Sequence, residues 1–295
     1  MSNYKSGFQL REPNAVWSLS DMIEIGAHKL IAPLTNIAGK IRYFEGLAAG
    51  VHSHDNAVER FSDLASTLGV LKDNATILKL PLTLKRCDHV HEQILSMIDR
   101  GRFDFSTMGT IAKMLQGLLE LAVNELDSCK FVGIEPVKAI LFTDPLGQFS
   151  HNIADKLHDA VFDLEEAVKS YSLGRHTACV FHLMRAMEAG VRKLASSMGA
   201  TVENKHGELL PWGILTANIK LKVDTMTKGA EKDNMCEVHS MLHSVNRAFR
   251  TKTAHPGKMY TDEQALTAIR SVSAFMEQMS EATKADVLKF WKKRT

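Results

Sequence analysis

The sequence is poor in most of the features that announce a specialised chemistry. Its four cysteines, Cys87, Cys129, Cys179 and Cys236, are scattered with no C-x-x-C spacing, so they read as reduced cytosolic thiols used mostly for packing. Only 7 prolines interrupt the chain and β-branched runs are short, while helix formers dominate; the class is all-α. A formal net charge of +2 gives no global field, so any nucleic-acid contact has to come from a local patch. No apolar run approaches the length of a membrane span. The opening residues, MSNYKSGFQLREP, lack the apolar core of a signal peptide. A soluble cytoplasmic protein is therefore expected. Gly-rich phosphate loops, G-x-S-x-G elbows, Rossmann fingerprints and aromatic–basic alternation of the RRM kind are all missing. So are internal repeats, low-complexity tracts and long charge runs.

What is present is helical periodicity. Residues 1–14 read as a loose lead-in. From Val16 the apolar positions Leu19, Ile23, Leu30, Leu34, Ile37, Ile41 and Phe44 predict one long helix, or two joined near Gly26 and bent or restarted by Pro33. Helices are expected at about 55–68 and 81–99, and Ser106 is expected to cap a strongly apolar helix reaching about residue 128. The stretch 131–149, FVGIEPVKAILFTDPLGQF, holds two prolines and two glycines among β-branched and aromatic residues, so it reads as extended or irregular. It is the expected connection between two domains. Beyond it, helices are expected at about 150–171, 175–198, 231–250 and 262–281, with two shorter segments around 212–223 and a basic-aromatic helix at 284–294. Four main helices with short connections make an up-and-down bundle. The expected division is residues 1–145 as an N-terminal helical domain, 146–283 as the bundle and 284–295 as a basic C-terminal helix.

The most structured stretch runs from residue 246 to 264, NRAFRTKTAHPGKMYTDEQ. Met235, Val238, Leu242, Val245 and Phe249 form one apolar helical stripe, and His239, His243, Asn246 and Arg250 form a polar stripe beside it. His255-Pro256 ends that helix, because the residue before proline is pushed out of the α region. Thr261-x-x-Gln264 is a capping box for the next helix. A loop is thus held between two well-specified helices, with Arg250 at its entry and His255 inside.

Arg250-x4-His255 in this setting resembles the signature of the HEPN superfamily, a group of all-helical domains many of which are metal-independent endoribonucleases. The stretch 172–188, SLGRHTACVFHLMRAME, is similar to that family too, and the resemblance covers about the last half of the chain. Arg86 and His91 repeat the spacing inside a continuous helical pattern, where no loop brings them together. The resemblance implies cleavage of RNA by its own 2′-hydroxyl, with His255 taking or delivering a proton and Arg250 stabilising charge on the phosphate. It implies no metal and no cofactor, a homodimer whose two motifs line one cleft, and a bacterial toxin or antiviral-defence role with an antitoxin or defence-system partner. Thr251 departs from the pattern, since active members usually carry Asn, Asp or His after the arginine. Asn246, one turn earlier, would supply an amide nearby.

Around this core stand further candidates with two readings each. Glu188 lies on a mainly apolar stripe with Phe181, Met184, Val191 and Ala195, and a charge there needs a partner. Either Arg185 and Arg192 satisfy it along the helix, or it reaches across the bundle to orient Arg250 or His255. His182, Arg185 and Arg192 are a solvated helix face or a set of RNA phosphate contacts, joined by Lys252. Arg250 and Lys252 also suit the C-terminal end of a helix dipole. The histidine pairs His239/His243, His52/His54 and His89/His91 lack the glutamate of H-E-x-x-H and any third ligand at a recognisable spacing, so no metal site is expected. The alternative to an enzyme is a non-catalytic HEPN-like module that binds RNA, a nucleotide or a partner protein.

Overall fold

A computed structural model describes residues 19, 22–51, 57–100, 104–149, 153–253, 255 and 257–292, with the side chains of 57, 58, 98 and 280–292 outside the description. The lead-in expected at 1–14 and the pair His52/His54 lie outside the described residues. Among those residues the regular structure is helical, with one isolated antiparallel bridge between Glu203 and Leu209. No described helix is long and apolar enough to cross a membrane. The chain divides into two compact units, one made chiefly of residues 22–132 and the other of residues from Gly133 onward.

The first unit consists of α1 (Ala27–Ala48), α2 (Ala57–Ile77), α3 (Pro81–Asp99) and α4 (Phe105–Ser128). Their apolar stripes meet in one core of Ile37, Phe44, Phe61, Leu64, Ile94 and Leu115, among others. Pro33 neither bends α1 to a stop nor restarts it; the helix runs through. A proline removes the N–H that would bond the carbonyl four residues back. That carbonyl, of Lys29, instead accepts a hydrogen bond from Asn74 Nδ2 of α2 at 2.6 Å. The cap of α4 is Asp104, not the expected Ser106: its carboxylate accepts from the Thr107 amide at 2.7 Å, an acceptor well placed for exposed N-terminal N–H groups. The start of α3 is capped from a distance, with Glu125 of α4 accepting from the amides of Leu82 and Thr83.

The second unit opens where an extended segment was expected. Both prolines there begin helical turns, α5 (Pro136–Thr143) and a 3₁₀ turn (Pro145–Gln148), because a proline at the first helical position loses only an N–H that had no partner anyway. The expected helix at 150–171 is broken at Leu157 (φ −132°), whose side chain is buried, giving α6 (Ile153–Lys156) and α7 (His158–Ser172). Gly174 then takes φ +71°, and the Arg175 amide reaches back to the Ser170 carbonyl at 2.8 Å. This Schellman turn folds α8 (His176–Ser197) directly back on α7. The two segments expected around 212–223 are one helix, α9 (Trp212–Thr225). After it come α10 (Ala230–Val245), a π-helical turn (Asn246–Arg250), the single turn α11 (Thr251–Thr253) and α12 (Asp262–Lys292). The backbone of α12 is continuous through the break expected near 282.

Helix α8 is the centre of this unit. It is buried on most of its circumference, from Cys179 and Val180 through Leu183, Met187 and Val191 to Leu194, and it packs on α7, α9 and α12. Gly190 lets α12 come close: a methyl group there would sit 3.2 Å from Met276 and 3.3 Å from the Phe275 ring. Any polar residue on α8 is therefore held by a rigid, well-packed element.

Candidate functional site

The apolar stripe predicted on α10 is buried as expected, from Met235 through Val238, Leu242 and Val245 to Phe249. Its polar companion changes course at residue 246, where the α-helix widens into the π turn Asn246–Arg250. Turns of this kind recur at functional sites because they displace a side chain from the regular helical register. The hydroxyl of Thr251 donates to the Asn246 carbonyl at 2.8 Å, spanning five residues, so Thr251 is committed to the helix end. The Asn246 side chain forms no hydrogen bond with a described residue.

Arg250 reaches α8. One of its terminal nitrogens lies 3.7 Å from Glu188 Oε2, while Arg192 binds Oε1 of the same carboxylate from one turn along α8. Of the two readings of Glu188, each supplies one partner: Arg192 along the helix and Arg250 across the bundle. Arg185 and His255 are not among its partners. Glu188 is a quarter exposed and Arg250 about a third, so the pair lies at the rim of the core.

The loop after Arg250 is tied at both ends. Thr253 Oγ1 donates to the Phe249 carbonyl at 2.7 Å and meets the Tyr260 hydroxyl at 2.9 Å. That hydroxyl is buried 3.3 Å from the same carbonyl, and the Tyr260 amide donates to Thr177 Oγ1 at the start of α8. Phe249 and Tyr260, the two ends of this stretch, are therefore held together through Thr253. Between the ties His255 is exposed, and its imidazole forms no hydrogen bond or ion pair with a described residue. Lys252 is also exposed. The Thr261–Gln264 capping box is present, with both reciprocal bonds long at 3.4 Å.

Asp262, the first residue of α12, fastens the loop exit a second time. It accepts from Lys138 Nζ at 2.8 Å and from the Tyr171 hydroxyl at 3.0 Å. His176 Nε2 stands 3.2 Å away without the alignment of a hydrogen bond. The Lys138 ammonium, with help from Tyr171, holds the Asp262 carboxyl below the usual carboxylate range, against a smaller opposing effect of burial. Burial and the same carboxylate push the Tyr171 hydroxyl up.

A second polar group lies further along α8. Asp163, a buried residue of α7, binds His182 Nδ1 at 2.7 Å and Arg185 Nε at 3.0 Å. Sequence reasoning found His182 and Arg185 but missed the carboxylate that organises them, because Asp163 carries no spacing signal of its own. Tyr260 was missed as well. Its place just before a capping box, where a residue that fixes the chain's entry often stands, is the signal that would have found it.

Other candidates behave as structural residues. Burial pushes the thiols of Cys87 and Cys179 up to about 12, far from a reactive thiolate at neutral pH. Burial, followed by the neighbouring Lys220 and His243, lowers the basicity of His239. Among the described residues, no three of His, Cys, Asp or Glu gather as a ligand set. Arg86 and His91 lie on α3, and five residues of α-helix turn them roughly 140° apart about its axis. Compared with protein-family models, curated proteins and solved structures, the chain finds no match.

Proposed function

We propose that the second unit is a HEPN-type, metal-independent endoribonuclease, with Arg250 and His255 as its reacting groups. The observation that carries the proposal is the ion pair between Arg250 and Glu188 of the central helix, beside an exposed His255 whose imidazole has no partner among the described residues. A guanidinium paired with a carboxylate at 3.7 Å keeps its N–H donors for a phosphate. An exposed imidazole on a short loop is placed to move a proton. In the reaction the RNA 2′-oxygen attacks the adjacent phosphorus and the bond to the 5′-oxygen breaks. One proton leaves the 2′-hydroxyl and one reaches the departing 5′-oxygen, with His255 handling at least one transfer. Arg250 balances the charge that builds on the phosphate. Nothing else is consumed, and the products end in a 2′,3′-cyclic phosphate and a 5′-hydroxyl. Purified chain incubated with a mixed RNA pool in excess EDTA is expected to cut it.

The proposed enzyme acts in the cytoplasm as a homodimer, in a bacterial toxin–antitoxin or antiviral-defence setting, as the HEPN resemblance implies. Support for a second copy comes from an open groove of about 580 Å³ beside the motif, lined by Met241, Val245, Ala248 and Phe249 on one side and Arg270 and Ala274 on the other. Light scattering at micromolar concentration reads the dimer directly, and a monomer there would remove the two-copy cleft. Thr251 favours a second reading, a non-catalytic module that binds RNA, a nucleotide or a partner protein, because its hydroxyl is spent on the helix end. Binding of the RNA pool without any cleavage would establish that reading in place of the first.

A further inference from the structure

We infer that the α7–α8 face carrying Phe162, Phe181, His182 and Arg185 is a subsite for a single-stranded nucleotide, with its phosphate on His182 and Arg185 and its base on the phenyl rings. The inference rests on the RNA reading above and adds to it a place where the strand is gripped away from the reacting groups.

The argument begins with Asp163. Its side chain is 9% exposed, and it spends its oxygens on His182 Nδ1 and Arg185 Nε. A carboxylate only accepts, so His182 donates from Nδ1, and in the imidazolium form Nε2 is a second donor that a phosphate oxygen can accept. Arg185 is held by Nε alone among its nitrogens, on a side chain 56% exposed, which leaves its terminal amino groups available on the solvent side. The buried acid thus fixes the orientation of two groups whose outer ends have no described partner. A planar guanidinium presented this way suits two phosphate oxygens.

The surroundings are aromatic. The His182 ring stands nearly perpendicular to both Phe162 and Phe181, with centroids 6.5 and 6.0 Å away. Both phenyls are about half exposed, at 45% and 48%, although each belongs to a helix whose other apolar side chains are largely buried. Flat rings left half in water beside fixed phosphate donors are the pairing that single-strand binders use, because every base has a face that stacks. Position supports the same occupant. Phe181, Arg185, Glu188 and Arg192 follow one another at four, three and four residues, which is one stripe of α8. From Phe181 to Glu188 is seven residues, about 10 Å of helix rise, so a strand gripped at the rings can run along α8 to the Arg250–Glu188 pair.

The test uses the full-length chain carrying His255→Ala, so that the probe is not cut, and a fluorescent single-stranded RNA of twelve nucleotides. Phe162→Leu and Phe181→Leu preserve apolar bulk and are each expected to weaken binding about tenfold, the scale of one lost base stack. Phe181→Trp should bind as tightly as the parent. Arg185→Gln should weaken binding and lower its salt dependence, as loss of a phosphate contact does. Thermal melts check that each variant is folded. Leucine variants that bind like the parent, or a parent that binds no RNA, overturn the subsite. So does a pair of leucine changes that splits a dimer while leaving RNA affinity intact, which assigns the rings to a protein interface. Cleavage by the unsubstituted chain is scored separately. RNA bound through these residues but never cut keeps the subsite and removes the nuclease. RNA cut by the double leucine variant with no rise in KM does the reverse.

Discussion

Replacing His255 with alanine is expected to slow RNA cleavage by a factor of about 10²–10⁴, the usual contribution of a positioned acid or base. Arg250→Ala should be at least as damaging, since stabilisation of transition-state charge is often the larger effect. Neither change should unfold the chain. His255 lies exposed on its loop, and Arg250 sits at a helix end with little apolar surface to lose. Glu188→Gln tests the ion pair to Arg250. If Glu188 holds Arg250 in place, the amide variant loses activity with only a small change in melting temperature, because Arg192 and Arg250 are both partly solvated. A large loss of stability with full activity would make Glu188 a purely structural residue. Arg86→Ala and His91→Ala are the internal controls and should leave cleavage intact, since α3 points the two side chains apart.

The second large effect is on stability. Phe275 is fully buried in the core of the second unit, against the bare backbone of Gly190 on α8. Phe275→Ala removes that contact and leaves a cavity, at a cost of about 3–5 kcal/mol. Hydrogen exchange read peptide by peptide should show the amides of α8 and α12 losing protection while α1–α4, which share a separate core, keep theirs. Near-parental protection of α8 would show that the α8–α12 contact contributes little.

These expectations rest partly on residues that were legible in sequence and partly on contacts that were not. The α10 stripe was legible because five apolar residues at helical spacing have one economical burial. The loop between Arg250 and the Thr261 capping box was legible for a similar reason, since proline and capping chemistry act locally. Pro33 was misread for want of a distant partner: whether a proline breaks a helix depends on what satisfies the orphaned carbonyl, and Asn74 lies 45 residues from Lys29. The stretch 131–149 was misread because prolines that forbid the interior of a helix also favour its first residue. Glu188 shows the division most clearly. Its need for a cation followed from its apolar stripe, and Arg192 from spacing alone, but Arg185 was taken up by Asp163 on another helix. The π turn has no counterpart in periodicity, which assumes a constant number of residues per turn.

The most direct measurement is the chemistry of the cut ends. Purified chain is incubated with RNA in excess EDTA and the fragments are analysed by mass spectrometry, beside the same reaction with His255→Ala. Attack by the 2′-hydroxyl through Arg250 and His255 predicts fragments ending in a 2′,3′-cyclic phosphate or its opened 3′-phosphate, each facing a 5′-hydroxyl, and almost none from the variant. Fragments carrying 5′-phosphate and 3′-hydroxyl ends, or cleavage that EDTA abolishes and His255→Ala leaves untouched, would contradict it.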